Sequence, residues 1–181
     1  MPRHIAFLRA INVGGHTVKM DLLCRLFEEL GLKDVETFIA SGNVIFRSPA
    51  KSASLEVRVE RHLHQALGYE VATFIRNEAE IAAVAAYRPF KHLPADFTGA
   101  LVVGFLREPL DAATQRAVLA LKTQIDDLHV NGRELYWHTT GGQSDSTLSN
   151  ALFERTLKGK ATFRNINTVT RLAARYPIKG T

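Results

Sequence analysis

The sequence predicts an α+β protein built from two ferredoxin-like βαββαβ units in tandem, each with an appended helix. Strand-like and amphipathic helical runs follow one another in the order βαββαβ, which defines the ferredoxin-like motif. The same order recurs after Arg88–Thr98, a stretch with two prolines that is typical of a linker. In each half a turn dipeptide, Gly42-Asn43 or Asn131-Gly132, joins two strand-like runs as in a hairpin. We therefore expect a first unit with its appended helix over residues 1–90, and a second unit over residues 91–181 that ends in a basic helix.

The first half contains four predicted strands and three predicted helices. Apolar residues recur with helical spacing over Val18–Leu30 and Ser52–Leu67, and each run is followed by a glycine, which is a natural helix end. Asn77 and Glu80 have the spacing of a capping box, which predicts a further Ala-rich helix. The predicted strands are Arg3–Leu8, Val35–Ala40, Val44–Arg47 and Glu70–Arg76.

The second half repeats this order of elements, although no clear repeat of residues is visible. Asp111 is a predicted cap for a helix that runs to Lys122, and Thr147–Leu157 and Asn167–Tyr176 are the other predicted helices. The predicted strands are Ala100–Leu106, Asp127–Val130, Glu134–His138 and the brief Ala161–Phe163.

Composition favours a globular cytoplasmic protein. The apolar fraction of 46% and the charged fraction of 23% are ordinary for such a chain. No apolar run reaches the roughly 20 residues that span a bilayer. The N-terminus leads into a strand-like run without a cleavage pattern, so we expect no signal peptide. The single Cys24 excludes a disulfide within the chain, and its position on an apolar helix face predicts a buried, inert thiol.

The positive charge is concentrated at the C-terminus. The net charge is +5, and residues 153–181 contain seven Lys or Arg side chains but a single Glu. One interpretation is a solvated basic helix surface, and the other is a contact with an anion or a nucleic acid.

A first candidate site follows from the predicted topology. In a βαββαβ unit the first two strands run parallel through a helical crossover, so the loop after the first strand and the hairpin after the second share one edge of the sheet. A Gly-Gly pair lets backbone approach a ligand, an arginine supplies a charged fork, and a helix N-terminus favours anions. Each residue also has a structural alternative, as a turn, hairpin or surface residue. The candidates are Arg9, Asn12, Gly14, Gly15, His16, Ser41, Gly42 and Asn43.

A second candidate site lies near the C-terminus. Two polar segments, Gly141–Thr147 and Arg164–Thr168, each open a predicted helix, and their Ser, Thr and Asn residues are also credible helix caps. A cation at a helix start opposes the helix dipole, and an anionic ligand would relieve that opposition. The candidates are Arg164, Asn165, Asn167 and Thr168.

Several kinds of site have no signature in this sequence. There is no serine or cysteine triad pattern, no GxxxxGK[ST] phosphate loop and no HExxH motif. His62 and His64 are two residues apart on a predicted helix, so they do not face one metal ion. We therefore expect no metal and no cofactor, and whether the protein is an enzyme stays open.

Three ordered motifs resemble a known family. The motifs R-A-I-N-V-G-G-H, S-G-N-V-I-F and T-F-R-N-I-N-T-V are similar to those of the bacterial family called domain of unknown function 1697. The resemblance implies a two-part α+β fold and no established reaction. The characteristic positions of the family correspond here to Val13 and to every residue of the two candidate sites except His16. This chain has Ile166 where relatives usually have an aromatic residue. It also has Gln143 and Asp145 in a loop that tends to be basic in relatives.

Three functions are consistent with these observations. The first is binding of a small anionic ligand, such as a nucleotide or a phosphorylated metabolite, at the first candidate site. The second is binding of RNA or single-stranded nucleic acid through the basic C-terminal segment. That function needs exposed aromatic residues on the sheet, and only Phe7 and Phe46 suggest them. The third is a small phosphate or acyl-phosphate hydrolase, by analogy with acylphosphatases, whose loop pattern of glycine and glutamine is absent here.

Overall fold

The computed structural model describes residues 1–39, 42–93 and 100–178, which form two four-stranded antiparallel sheets with helices. The predicted α+β fold class is therefore confirmed. The chain divides into two compact units. The first unit consists of Met1–Ile81 together with the chain from Tyr176 onward, and the second consists of Ala82–Arg175. The division into a domain over residues 1–90 and a second domain over residues 91–181 stays a prediction.

The first unit has the predicted order of elements. Its strands lie in the order β2-β3-β1-β4, and every pair of neighbours is antiparallel. The helix α3 (Glu78–Ala86) follows β4 directly along the chain. The elements of the sheet and its crossovers are β1 Arg3–Leu8, α1 Met20–Glu29, β2 Lys33–Thr37, β3 Asn43–Arg47, α2 Ser52–Leu67 and β4 Thr73–Asn77.

One face of this sheet packs against α1 and α2. Alternate strand residues such as Ala6, Leu8 and Phe46 point to this face and are at most 1% exposed. The α2 residues Leu55, Val59 and Leu63 recur every four positions, so they form one buried stripe against the strands. Truncating one of them to alanine is expected to cost about 2–5 kcal/mol.

The second unit repeats the topology of the first. Its strands lie in the order β6-β7-β5-β8, again antiparallel throughout. A hairpin joins β6 to β7 as predicted, but its two-residue loop is Gly132-Arg133, because Asn131 ends β6 and pairs with Glu134. Gly132 has a φ of +58°, which suits the first position of such a loop. The elements are β5 Leu101–Phe105, α4 Ala112–Leu119, β6 Asp126–Asn131, β7 Glu134–Thr139, α5 Asn150–Leu157, β8 Thr162–Asn165 and α6 Ile166–Arg175.

The strand registers reveal a repeat of residues that was not visible in the sequence alone. Ile5 on β1 pairs with Arg76, and Val103 on β5 pairs with Arg164. With these pairs aligned, Phe7-Leu8-Arg9 corresponds to Phe105-Leu106-Arg107, and Arg76-Asn77 corresponds to Arg164-Asn165. Each repeated run is only two or three residues long, which is why the sequence alone did not reveal it.

Three local expectations are corrected by the structure. The helix α5 begins at Asn150 with Ser149 as its cap, because the Ser149 hydroxyl accepts a hydrogen bond from the Leu152 N–H. The strand β2 is Lys33–Thr37, earlier than predicted, and its pairing with β3 is irregular. The Cys24 thiol is half-buried rather than buried. Burial, with Glu28 and Asp21 nearby, raises its pKa, which makes it a poor nucleophile at neutral pH.

Candidate functional site

The loop after β1 and the β2–β3 hairpin meet at one edge of the first sheet. The Leu8 N–H donates to the Gly42 carbonyl at 2.8 Å, and the Arg9 N–H donates to the Ala72 carbonyl at 2.9 Å. We call this region the first edge; among the described residues it comprises residues 9–18, Gly42, Asn43 and residues 69–72. The topology brings the first group of candidates together here, except Ser41, which lies outside the described residues.

The loop over residues 9–18 is fastened at both ends. The Asn12 side-chain oxygen accepts a hydrogen bond from the Val18 N–H at 2.7 Å, and the Tyr69 hydroxyl donates to the Ile11 carbonyl at 2.9 Å. The Ile11 side chain is buried between these two attachments. Asn12 therefore has a structural role through its oxygen, whereas its exposed side chain still presents the amide NH₂ to solvent.

Gly14 and Gly15 form an exposed tight turn at the tip of this loop. Their φ angles are +69° and +84°, and the His16 N–H donates to the Val13 carbonyl at 3.4 Å, as expected for a type I′ turn. A Cβ added at either glycine would have no heavy atom within 4 Å. Within the described part of the chain, neither glycine N–H donates a hydrogen bond. The turn explains both glycines, and it also leaves two backbone donors in open surroundings.

His16 lies flat on the ring of Tyr69. The two ring centroids are 3.8 Å apart, and the ring planes differ by 18°. His16 is nevertheless an exposed residue. Tyr69 was missed by the sequence analysis, because its contacts with Ile11 and His16 join residues more than 50 positions apart.

Gly42 and Asn43 hold the hairpin in place. Gly42 has a φ of +81°, and a Cβ there would lie 2.9 Å from Ile11 Cγ2 and 3.2 Å from Leu8 Cβ. The Asn43 side chain is fully buried and donates through Nδ2 to the Phe38 carbonyl at 2.9 Å. Their positions favour the structural alternative for both residues, since both are buried and a ligand has no direct access to them.

The first edge combines a loop without acidic residues and one exposed carboxylate, Glu70. Arg9 is half-buried there, and no acidic residue occurs between Arg9 and Met20. The helix α1 begins after Lys19, whose side chain makes no capping hydrogen bond. The first N–H groups of this helix therefore lack a side-chain cap and contribute a positive partial charge near the loop, which Asp21 in the first turn partly offsets.

The structure places the second group of candidates in a different local structure from the predicted one. Arg164 belongs to the strand β8 and does not open a helix, so the expected opposition to a helix dipole does not arise. Its guanidinium donates to Thr162 Oγ1 and to the Phe163 carbonyl, each at 2.9 Å, and burial lowers its pKa to about 10. The Asn165 side-chain oxygen accepts a hydrogen bond from the Asn167 N–H at 2.9 Å, which caps α6.

The first unit contains a counterpart of this second group. Arg76 is completely buried and donates through Nη1 to the preceding carbonyl of Ile75, just as Arg164 donates to the carbonyl before it. Asn77 forms a reciprocal capping box with Glu80. The arginine–asparagine pair thus occurs once in each unit, where an edge strand passes into a helix. This recurrence favours a structural role for Arg164 and Asn165, and Asn167 and Thr168 lie half-buried in the first turn of α6.

A buried carboxylate holds the Gly141–Ser146 loop. Asp126 accepts hydrogen bonds from Thr123 Oγ1 at 2.7 Å, Trp137 Nε1 at 2.8 Å and Ser146 Oγ at 2.9 Å. Burial by itself raises the pKa of the Asp126 carboxyl, but these hydrogen bonds together bring it below its ordinary value. This network has the character of a structural clamp.

The sheets offer little aromatic surface for nucleic acid. Phe7, Phe46 and Phe74 in the first unit, and Phe105 and Tyr136 in the second, are at most 1% exposed. Because stacking requires an exposed ring face, none of these side chains can take part in base stacking in this conformation.

The described residues contain no candidate metal site and no membrane-spanning helix. Among residues 1–39, 42–93 and 100–178, no group of three or more His, Cys, Asp or Glu side chains is placed to hold a metal ion. No helix in the same ranges combines the length and the apolar character that crossing a membrane requires.

Comparisons with known proteins identify relatives without a described activity. Residues 1–136 match the family model described as Protein of unknown function (DUF1697). The conserved bacterial protein SP0830 from Streptococcus pneumoniae has a similar structure, with a TM-score of 0.75 and 25% sequence identity. The similarity covers 98% of this chain and 99% of that one. No curated protein matches the chain.

Proposed function

The chain belongs to the family Protein of unknown function (DUF1697), and from the geometry of its first edge we propose that it binds a small, phosphate-bearing anion there. The observation that carries the proposal is the exposed turn at Gly14-Gly15. Among the described residues the two glycine N–H groups donate no hydrogen bond, and a Cβ added at either glycine would meet no heavy atom within 4 Å. Backbone donors of this kind are a recurrent means of binding phosphate oxygens.

The surroundings of the turn support the same proposal. Arg9 and Lys19 are basic and lie at the two ends of the loop, and the side-chain amide of Asn12 is exposed within it. Arg9 supplies a permanent charge and up to two parallel hydrogen bonds to a phosphate group. The contact residues in this proposal are therefore Arg9, Asn12, Gly14, Gly15 and His16, and Gly42 and Asn43 serve to position the loop.

Nucleic-acid binding through the C-terminal segment is the second candidate function. The observation in its favour is that Arg155, Lys158 and Lys160 around the end of α5, and Arg171 and Arg175 on α6, are all exposed. Binding of this kind weakens steeply as salt is added, because each phosphate contact releases counterions. Hydrolysis of a phosphate or acyl phosphate is a further possibility, and it would use the same donors at the first edge to stabilise the reacting group.

The proposal is tested by thermal shift with inorganic pyrophosphate, AMP, ribose 5-phosphate, acetyl phosphate and a short single-stranded RNA. A ligand at 100 times its dissociation constant adds about 2.7 kcal/mol to the unfolding free energy, which corresponds to a shift of several degrees. Each acyl or phosphate ester that binds is then assayed for release of inorganic phosphate.

A matched pair of variants locates the binding site. Arg9→Ala should abolish the shift caused by a small anion. Arg107→Ala changes the corresponding residue of the second unit and should leave that shift intact. Equal loss in both variants, or no shift with any small anion, would contradict the proposal. A shift with RNA alone that disappears in high salt would favour the C-terminal segment instead.

A further inference from the structure

We infer that the ligand of the first edge carries a planar ring that stacks on the outer face of His16, so that its chemical class is a nucleotide. This inference rests on the proposed function and adds the identity of the group attached to the phosphate. It begins from the contact between His16 and Tyr69, whose ring centroids are 3.8 Å apart with planes differing by 18°. That separation is shorter than the usual range of about 4.5–7 Å for aromatic pairs.

The stack is fixed before any ligand arrives. The Tyr69 hydroxyl donates to the Ile11 carbonyl at 2.9 Å, so the lower ring is tied to the loop that carries His16. The Val13–His16 hydrogen bond closes the turn next to the upper ring. Little conformational freedom is therefore left to lose when a third ring is added, and such preorganisation favours binding.

The outer face of the imidazole is available to a ligand. His16 is an exposed residue although Tyr69 lies against one face of its ring, and the inference assigns the opposite face to the ligand. Val13, which accepts the His16 N–H in the same turn, is 62% exposed and provides an apolar residue at this loop tip. Every nucleobase has a flat face that can stack on such a surface, whereas a sugar phosphate or an inorganic phosphate has none.

The ring and the phosphate donors are close enough for one small ligand. Gly14, Gly15 and His16 are consecutive, and neighbouring Cα atoms are about 3.8 Å apart. A base on His16 and a phosphate at the two glycine N–H groups would thus be separated by roughly the length of one sugar. A nucleoside monophosphate has this arrangement, with the ring and the phosphate joined through a ribose.

Isothermal titration calorimetry separates the ring from the rest of the ligand. The probes are AMP, GMP, CMP and UMP, with ribose 5-phosphate as the matched compound that lacks a base. We expect at least one nucleotide to bind roughly 10-fold or more tightly than ribose 5-phosphate, which is the usual scale of one base stacked on an aromatic ring. His16→Ala should remove that preference without weakening ribose 5-phosphate, and His16→Phe should keep it, because phenylalanine retains a flat ring.

The outcomes distinguish this inference from the function on which it rests. If ribose 5-phosphate and every nucleotide bind the wild-type protein equally, the inference is overturned and anion binding stands. If His16→Ala keeps the preference for a nucleotide, the ring binds elsewhere and the inference is also overturned. If none of the probes binds, and inorganic pyrophosphate does not bind either, both the inference and the proposed function are overturned. Melting temperatures of the two His16 variants within a few degrees of wild type show that the loop is still folded.

Discussion

Substituting Gly42 by alanine tests whether the hairpin and the loop after β1 are packed as tightly as the first edge requires. Gly42 has a φ of +81°, and an alanine Cβ would lie 2.9 Å from Ile11 Cγ2 and 3.2 Å from Leu8 Cβ. The left-handed backbone conformation costs an L-residue about 1–2 kcal/mol. Forcing an extra methyl group into a packed site costs about 1–3 kcal/mol more. We therefore expect Gly42→Ala to lower the unfolding free energy by about 2–5 kcal/mol.

Gly68 provides a matched control in the same unit. It has the same φ of +81°, but a Cβ added there would have no heavy atom within 4 Å. Gly68→Ala should therefore lower the unfolding free energy only by the cost of the left-handed backbone conformation, about 1–2 kcal/mol. The difference between the two variants isolates the steric contact of Gly42 with Ile11 and Leu8.

The assay is urea unfolding followed by far-ultraviolet circular dichroism. Fluorescence is unsuitable here, because the single tryptophan, Trp137, belongs to the second unit, whereas both glycines belong to the first. The slope of the transition should be unchanged, so that the midpoints report stability directly. If Gly42→Ala and Gly68→Ala lose the same free energy, the hairpin can move away from β1 without cost. The close packing assigned to this edge would then be refuted.

Four further substitutions have expected effects. Asp126→Asn leaves three donors with a weaker acceptor. It should lower the unfolding free energy by about 1–3 kcal/mol, measured by urea unfolding with Trp137 fluorescence. Because the pKa of Asp126 is lowered in the fold, its contribution is present above about pH 4 and is lost as pH falls further, so the variant should show a smaller acid-induced loss. Burial lowers the pKa of His4, so the unfolded chain takes up that proton first. The contribution of His4 to the unfolding free energy should therefore decrease as the pH drops below about 6.5, by at most about 1.4 kcal/mol per pH unit. His4→Phe keeps a ring against Phe46 and should reduce this slope, which urea titrations between pH 7 and pH 5 would detect; an unchanged slope would count against it. Asn77→Ala and Asn165→Ala each remove a helix cap and should each lose about 1 kcal/mol in urea unfolding, with the larger loss at Asn77 because its capping box is reciprocal.

Those parts of the fold that depend on local patterns could be predicted from the sequence. The boundaries of α2, Ser52–Leu67, were predicted correctly because apolar residues recur every four positions and Gly68 ends the helix in a left-handed conformation. The capping box at Asn77 was also predicted correctly, since it depends on two residues three positions apart. Errors arose where local signals compete. Thr162–Asn165 contains both strand-forming and cap-forming residues, and the structure assigns Arg164 to the strand.

The sequence predicted which loops of the candidate site lie at one edge of the sheet, but it did not predict the side-chain contacts there. The rule that the first two strands run parallel was enough to place Arg9 and Gly42 at one edge. The same rule says nothing about which polar side chains are buried there, so it did not show that the Asn43 amide is used within the hairpin. Nor could it identify Tyr69, whose ring and hydroxyl contact a loop more than 50 residues earlier in the chain. Contacts over such separations depend on packing that a single sequence does not encode in any local pattern.

The most direct test of anion binding at the first edge is a nuclear magnetic resonance titration of ¹⁵N-labelled protein with inorganic phosphate and with AMP. The amide resonances of Gly14 and Gly15 should shift and saturate, because their N–H groups are the proposed donors. Gly31 and Gly68 also have positive φ angles and open surroundings, so their resonances should stay in place as internal controls. Saturable shifts confined to residues 153–178, or no saturable shift at Gly14 and Gly15 with either compound, would contradict the account.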